Sequence, residues 1–169
     1  MNKMIDILAA VMMTAVGASA NAGVTAEDLV KGFEGFSSTA YTCTAGKRTI
    51  GYGFTFANLV GKGHITEAAA SAEVRRICTD IAVQLRKELG AGNILKPHEE
   101  AAVVSLIYNI GWTRFRTSEL CRLLKAGRRG ASVVVQFHRW RYVTQNGRKV
   151  VCKGLDIRRN REAQVFLYG

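Results

Sequence analysis

The feature that most restricts the fold of this chain is a long apolar stripe in the segment 66–90. Within it, residues at steps of three and four are apolar: Val74, Ile77, Ile81 and Leu85. Residues at this spacing share one face of an α-helix, so the pattern predicts a long amphipathic helix. Such a helix must bury its apolar face against other elements, which commits much of the chain to a helical layer.

Further helices are predicted on the carboxyl side of this stripe. Pro97 and the two acids that follow it are typical of a first helical turn, and Gly111 is a stop signal. Two short helices are predicted within 117–127 and 130–143, and a terminal helix after Gly154.

The amino side of the stripe has a different character. Thr25 can cap a short helix that ends near Glu34, and the Thr-, Tyr- and Gly-rich segment that follows predicts an irregular β-hairpin. Gly51 and Gly53 bracket Tyr52, and glycines permit the close backbone approach that suits the wall of a groove. The predicted fold class is therefore α+β, with a small β-hairpin lobe and a larger helical lobe.

The composition adds a charge argument. The 169 residues include 24 Lys and Arg against 13 Asp and Glu, a net charge of +11. This balance favours an anionic partner such as nucleic acid, anionic lipid or a cell-wall polymer. No aromatic-rich β platform or recognition-helix motif is visible, so we expect no nucleic acid. The three histidines show no metal-ligand spacing, and we expect neither metal nor cofactor.

The first residues form a separate unit. Ile7 to Ala26 is a run of twenty uncharged residues, long enough to span a bilayer but diluted by glycine, serine and asparagine. Small residues near its end also fit a signal-peptide cleavage site. We expect residues 1–24 to be an export signal or a signal-anchor helix, and residues 25–169 to be the folded domain. Cleavage and retention both remain open.

The candidate chemistry lies in the hairpin lobe. Hydrolysis of a glycosidic bond needs a proton donor and, opposite it, a base or a nucleophile. Glu34 is followed after eight residues by Cys43 and after five more by Thr49, which leads directly into "IGYG". This order resembles the E-x8-D/C-x5-T signature of phage-type lysozymes, glycoside hydrolase family 24. The segments "LIYNIGWTRFRTSELCRLLKAG" and "RWRYVTQNGRKVVCKGLDIRRNREAQVFL" are similar to later family segments, in the family's order.

The resemblance implies a lysozyme-like fold with a groove between the lobes, and a role for each matching residue. Glu34 is expected to be the general acid, and Thr49 to hold the attacking water. Cys43 takes a position that many members fill with Asp. Arg158 is expected to lie close to the acid.

Three more residues are expected along the groove. Asn109 and Phe115 match positions that contact sugar or seat the lower lobe, and Tyr52 is a candidate substrate contact.

The role of Cys43 has several readings. A thiolate can orient or deprotonate water, but a free thiol is mostly neutral at neutral pH unless a cation lowers its pKa. Alternatively, Cys43 is a small polar wall residue, or a redox latch whose oxidation silences the enzyme. Cys78 and Cys121 are expected to be buried thiols, and Cys152 to lie in a loop.

The resemblance implies a bacteriophage endolysin, a monomer that cuts the β-1,4 bond between N-acetylmuramic acid and N-acetylglucosamine in peptidoglycan and lyses the host. It also suggests action in the host periplasm, after initial tethering to the inner membrane through residues 1–24, as in signal-arrest-release endolysins. Two alternatives stay open: a lytic transglycosylase that acts on the same bond, and a non-catalytic basic protein that disrupts wall or membrane.

Overall fold

A computed structural model describes residues 23–42 and 46–169 of the chain. Cys43 and residues 1–22 lie outside the described residues. Among the described residues, no helix has the length and apolar character needed to cross a bilayer.

The first helix, α1 (Ala26–Glu34), begins and ends where the sequence predicts. The Thr25 hydroxyl accepts a hydrogen bond from the Asp28 backbone N–H at 3.1 Å, and the Asp28 carboxylate accepts one from the Thr25 N–H at 3.0 Å. This capping box satisfies backbone donors at the start of the helix. Glu34 is thus placed on the last turn of a capped helix, facing the hairpin lobe.

The small lobe is built on an antiparallel hairpin, as predicted. Strand β1 (Ser37–Thr42) pairs with β2 (Arg48–Gly51), with an irregular register between residues 37 and 41. After β2 the chain reverses at once, so that the backbone groups of Ile50 and Phe54 exchange hydrogen bonds of 3.0 and 2.9 Å. A short helix, α2 (Ala57–Val60), completes the lobe.

The larger lobe is mainly helical. The long predicted helix is α3 (Glu67–Leu89), capped by Thr66, and the helix opened by proline is α4 (Pro97–Ile110). The remaining helices are α5 (Trp112–Arg116), α6 (Glu119–Lys125), α7 (Ala131–Phe137) and α8 (Lys153–Tyr168). Helix α4 is the centre of the core: residues 101–107 are all buried, because α1, α3 and α8 pack around it.

One stretch of the predicted secondary structure is wrong. The helix predicted over 130–143 ends at Phe137, and a 3-10 turn (His138–Trp140) leads into a second hairpin of β3 (Tyr142–Gln145) and β4 (Arg148–Val151). The turn residues Asn146 and Gly147 have φ of 50° and 74°. Positive φ at both central positions defines the tight turn that Asn-Gly favours in hairpins.

Candidate active site

Glu34 lies where the two lobes meet. Its side chain is 22% exposed, and its Oε1 accepts a hydrogen bond of 2.6 Å from a terminal nitrogen of Arg158 on α8. The turn after β2 covers the other oxygen: a Cβ on Gly53 would lie 3.1 Å from Oε2 of Glu34. Gly53 also has φ +85°, so glycine is favoured here both by conformation and by space.

Arg158 is held firmly from the interior side. Only 4% of its side chain is exposed. Its Nε donates to Oε1 of Glu162 at 3.1 Å, and its second terminal nitrogen donates to the Ser105 carbonyl at 3.1 Å. The guanidinium also lies 5.1 Å from the centre of the Phe33 ring. The orientation of Arg158 toward Glu34 is therefore fixed by α4 and α8 together.

Behind Arg158 lies a buried charge cluster of four residues: Ser105, Arg158, Arg159 and Glu162. The Ser105 hydroxyl donates to Oε1 of Glu162 at 2.7 Å, and Arg159 donates to the same oxygen at 3.2 Å. Nε of Arg159 lies 2.9 Å from Oε2 of Glu162. Glu162 and Arg159 have no exposed surface.

Burial disfavours the charged form of both Glu162 and Arg159. Desolvation raises the pKa of the Glu162 carboxyl, while the two neighbouring guanidiniums and the Ser105 hydroxyl oppose the rise. Desolvation lowers the pKa of Arg159 to about 10, against the attraction of Glu162. Arg159 therefore stays charged at neutral pH, and the two guanidiniums favour the ionised form of Glu162 against the effect of burial.

Asn109 forms the exposed end of this arrangement. Its Oδ1 accepts a hydrogen bond of 3.2 Å from Arg159. It also borders a cleft of about 400 Å³ whose other lining residues include Arg114, Trp140 and Tyr142. The structure thus joins three residues expected from the sequence: Glu34 and Arg158 directly, and Asn109 through Arg159.

Tyr52 and Tyr108 connect the two lobes beside the acid. The Tyr108 hydroxyl donates to the Tyr52 carbonyl at 2.8 Å. Burial, and after it the negative charge of Glu34, raises the pKa of Tyr108, which keeps this hydroxyl a donor. Tyr52 itself is only 3% exposed, and its hydroxyl donates to Glu67 at 3.0 Å. Its ring is therefore packed in the core and is not open to a ligand in this structure.

The other residues expected at the site have different surroundings. Thr49 lies on β2, nearly buried, and its hydroxyl donates to the Lys47 carbonyl at 3.1 Å. Phe115 is fully buried and packs its ring against Trp112, so it seats the helices of the larger lobe. Cys43 lies outside the described residues.

The remaining cysteines are free thiols. Cys78 and Cys121 are buried, as expected, and desolvation raises the pKa of Cys78 to about 12. Cys152 directly precedes α8 and is partly exposed.

Sequence reasoning assigned no role to Ser105 or Glu162. A usable signal was present, since Arg158 and Glu162 are four residues apart on a helix and so share one face. Ser105, however, lies 57 residues earlier on another helix, and only the packing of α4 against α8 brings it to Glu162.

Comparison with known proteins identifies the family and the fold of the chain. Residues 31–162 match the phage lysozyme family. An endolysin of Acyrthosiphon pisum secondary endosymbiont phage 1 is 35% identical over 139 residues, which cover 82% of this chain and 92% of the relative. A SAR-endolysin of Bacteriophage PS119 is 31% identical over 139 residues, 82% of this chain and 78% of the relative.

The fold has a matching solved structure. An endolysin from Escherichia coli O157:H7 phage FAHEc1 superposes with a TM-score of 0.74 at 28% identity, covering 89% of this chain and 96% of the other. The expected α+β, lysozyme-like fold is thereby confirmed. Because the family match covers most of the chain and a relative is 35% identical over 92% of its own length, the chain belongs to the phage lysozyme family.

Proposed function

We propose that this chain is an endolysin that hydrolyses the β-1,4 bond between N-acetylmuramic acid and N-acetylglucosamine in host peptidoglycan. The observation that carries the proposal is the position of Glu34, half-buried between the lobes with Oε1 held by Arg158 at 2.6 Å. The relatives named endolysin support the substrate and the role in lysis.

In the proposed reaction, Glu34 is the general acid. Because Arg158 occupies Oε1, the proton to be transferred is carried on Oε2, beside Gly53. This proton passes to the glycosidic oxygen as the bond from that oxygen to the anomeric carbon breaks. Arg158 then stabilises the carboxylate that remains.

A water molecule completes the reaction. Its oxygen bonds to the anomeric carbon and keeps one hydrogen as the new hydroxyl, and its other proton restores the acid form of Glu34. Thr49 and Cys43 are proposed to hold this water, because no Asp or Glu occurs between Glu34 and Glu67 and the hairpin segment therefore supplies no second carboxylate. Mechanism cannot then be read from a carboxylate separation, as it is in glycosidases with two acids.

The test is digestion of purified peptidoglycan by the full chain, with the products analysed by mass. Hydrolysis adds one water for each bond that is cut and leaves N-acetylmuramic acid at the new reducing end. A lytic transglycosylase would instead give products lighter by one water, through attack of the sugar's own hydroxyl. That result would replace hydrolysis by the alternative reaction.

Cys43 is proposed either to orient the attacking water or to be a redox latch whose oxidation silences the enzyme. Activity that disappears on oxidation and returns with reductant would support a latch. Activity unaffected by reductant and by Cys43→Ser would overturn it. Cys43→Asp, which restores the commoner residue of the family, is expected to remain active.

Residues 1–24 are proposed to be a signal-anchor helix that tethers the chain to the inner membrane until it is released into the periplasm as a monomer, with residues 25–169 as the enzyme. The relative named SAR-endolysin supports this proposal. Cys43 is the first cysteine of the chain, so a thiol swap from residues 1–24 cannot drive activation. We expect the released enzyme to retain residues 1–24. Amino-terminal sequencing that begins at Asn21 or Gly23 would contradict retention.

A further inference from the structure

Glu162 is a buried carboxylate that the proposed reaction does not use. Its side chain has no exposed surface, and its Oε1 accepts hydrogen bonds from Ser105, Arg158 and Arg159. A carboxylate costs much free energy to bury unless it is paired, and here two guanidiniums and one hydroxyl converge on it. Replacing it by an apolar side chain would leave both guanidiniums short of a partner.

The charge balance of the cluster depends on whether Glu34 carries its proton. With Glu34 ionised, the two carboxylates of Glu34 and Glu162 balance the two guanidiniums of Arg158 and Arg159. As a general acid, however, Glu34 must first be protonated, and the group then has one net positive charge. Without the charge of Glu162 the group would have two net positive charges. Two uncompensated cations beside Glu34 favour loss of the Glu34 proton.

The cluster also reaches the proposed sugar contact. Arg159 donates to Oε1 of Glu162 and to Oδ1 of Asn109 through the same terminal nitrogen, at 3.2 Å each. Asn109 itself is exposed, and it follows Ser105 by one helical turn on α4. An unbroken series of contacts therefore runs from Glu34 through Arg158, Glu162 and Arg159 to Asn109.

We propose that Glu162 is a positioning residue for the catalytic acid. It aims Arg158 at Glu34, offsets the positive charge while Glu34 holds its proton, and supports Asn109 through Arg159. The acid and the proposed sugar contact thus share one buried support on α4 and α8. This inference rests on the proposed hydrolysis by Glu34.

Of the charged and titratable groups that surround the acid, the Glu162 variants alter only Glu162. The titratable and charged side chains around the acid and the cluster come from α1, the turn after β2, α3, α4 and α8: Lys31, Tyr52, Glu73, Cys78, Tyr108, Arg158, Arg159 and Glu162. Because only Glu162 is altered, a change in pH dependence reports the loss of its charge.

The main test is Glu162→Gln in the full chain, assayed on purified peptidoglycan. The amide has nearly the same shape, but it lacks the negative charge. We expect kcat to fall by about tenfold to a hundredfold, as a small misplacement of a catalytic group does, with KM nearly unchanged. We also expect the high-pH limb of the activity profile to move to lower pH, because loss of the negative charge leaves more positive charge beside the acid.

Two further variants separate charge from shape, and they keep the test decisive if Glu162→Gln folds poorly. Glu162→Asp keeps the charge, so the high-pH limb should stay in its native place even if kcat falls. Ser105→Ala removes one donor to Glu162 and no charge, so kcat should fall several-fold, again without movement of the limb.

The matched control is Glu99→Gln. Glu99 is also a buried carboxylate on α4, and its Oε2 lies 3.5 Å from Nε of Arg129 and accepts a hydrogen bond from the Lys96 N–H. A purely structural effect of losing a buried acid would appear in this variant too. We expect lower stability in Glu99→Gln, but native kcat and pH profile per folded molecule.

Two results would overturn the inference. If folded Glu162→Gln has the kcat and pH profile of the native chain, Glu162 does not position the acid, while the proposed function stands. If the high-pH limb moves equally in Glu99→Gln, the effect is not specific to the cluster. A native chain that releases no fragments from peptidoglycan would instead overturn the proposed function, and the positioning role with it.

Discussion

At the scale of single residues, Glu34 is confined by two neighbours of opposite kinds. Arg158 fixes one carboxylate oxygen by a charged hydrogen bond, and Gly53 leaves just enough room for the other. Charged hydrogen bonds of this kind are among the stronger ones in proteins. The position of Glu34 therefore depends on the contact with Arg158 and on the absence of a side chain at Gly53.

Gly53→Ala tests the role of the missing side chain. The backbone has φ +85°, and the added Cβ would lie 3.1 Å from Oε2 of Glu34. We expect a loss of about 1–2 kcal/mol in the free energy of unfolding, measured in urea, because left-handed backbone is strained for alanine. Activity per folded molecule should also fall several-fold, because the acid is displaced.

Gly130→Ala is the control for this variant. Gly130 has φ +74°, and among the described residues its added Cβ would meet no atom within 4 Å beyond its chain neighbours. It should lose comparable stability and keep native activity. Equal activity in the two variants would contradict the proposed crowding of Glu34.

At the scale of elements, α1 links the start of the domain to the acid. Its capping box lies at one end and Glu34 at the other, with Leu29 and Val30 buried between them. Because α1 packs on α3 and α4, its orientation depends on core contacts more than on the cap.

Thr25→Ala is expected to lower the free energy of unfolding by about 1 kcal/mol, the usual cost of losing a helix cap. Chemical denaturation measures this, with Thr79→Ala as control, since the Thr79 hydroxyl bonds to the Arg75 carbonyl inside α3 and caps no helix start. Activity of folded Thr25→Ala should be native. A large loss of activity without a loss of stability would show that the cap controls the acid directly.

The elements that could be predicted from the sequence are those with local signals. Thr25 caps the start of α1, and Pro97 is the first residue of α4. Each start depends on residues that lie within four positions of each other in the sequence. The second hairpin also has a local signal in Asn146-Gly147, but the apolar run before it fits helical spacing as well. The alternation of strand residues is hard to separate from helical spacing over such a short segment.

The site could be predicted only in part, for a related reason. The spacing of Glu34 and Thr49 is visible along the chain, and the pairing of Arg158 with Glu34 followed from the resemblance to a family. The contacts of Glu162 with Ser105, and of Arg159 with Asn109, cross 57 and 50 residues. They arise from the packing of α4 on α8, which no local pattern specifies.

At the scale of the whole molecule, the main property is its charge of +11. Much of this charge is on exposed side chains, some in surface ion pairs such as Arg76 with Glu73 and Asp80. Exposed pairs of this kind add little stability, so the excess of cations matters chiefly for attraction to an anionic wall.

Salt is expected to weaken this attraction. The screening length falls from about 10 Å at 0.1 M to about 3 Å at 1 M salt. Over this range, KM for insoluble peptidoglycan should rise several-fold while kcat at saturating substrate stays nearly constant. Initial rates at several substrate concentrations measure both, and a KM independent of salt would contradict an electrostatic role of the net charge.

The central claim is that a single carboxylate, Glu34, performs the proton transfer. The most direct measurement is the rate of fragment release from purified peptidoglycan by the native chain and by Glu34→Gln, with the fold of both verified by circular dichroism. Since Gln keeps the shape but has no acidic proton to give, we expect its rate to fall by about 10²- to 10⁴-fold. Fragment release by a folded Glu34→Gln chain at the native rate would contradict the claim, because the bond would then be cut without this proton donor.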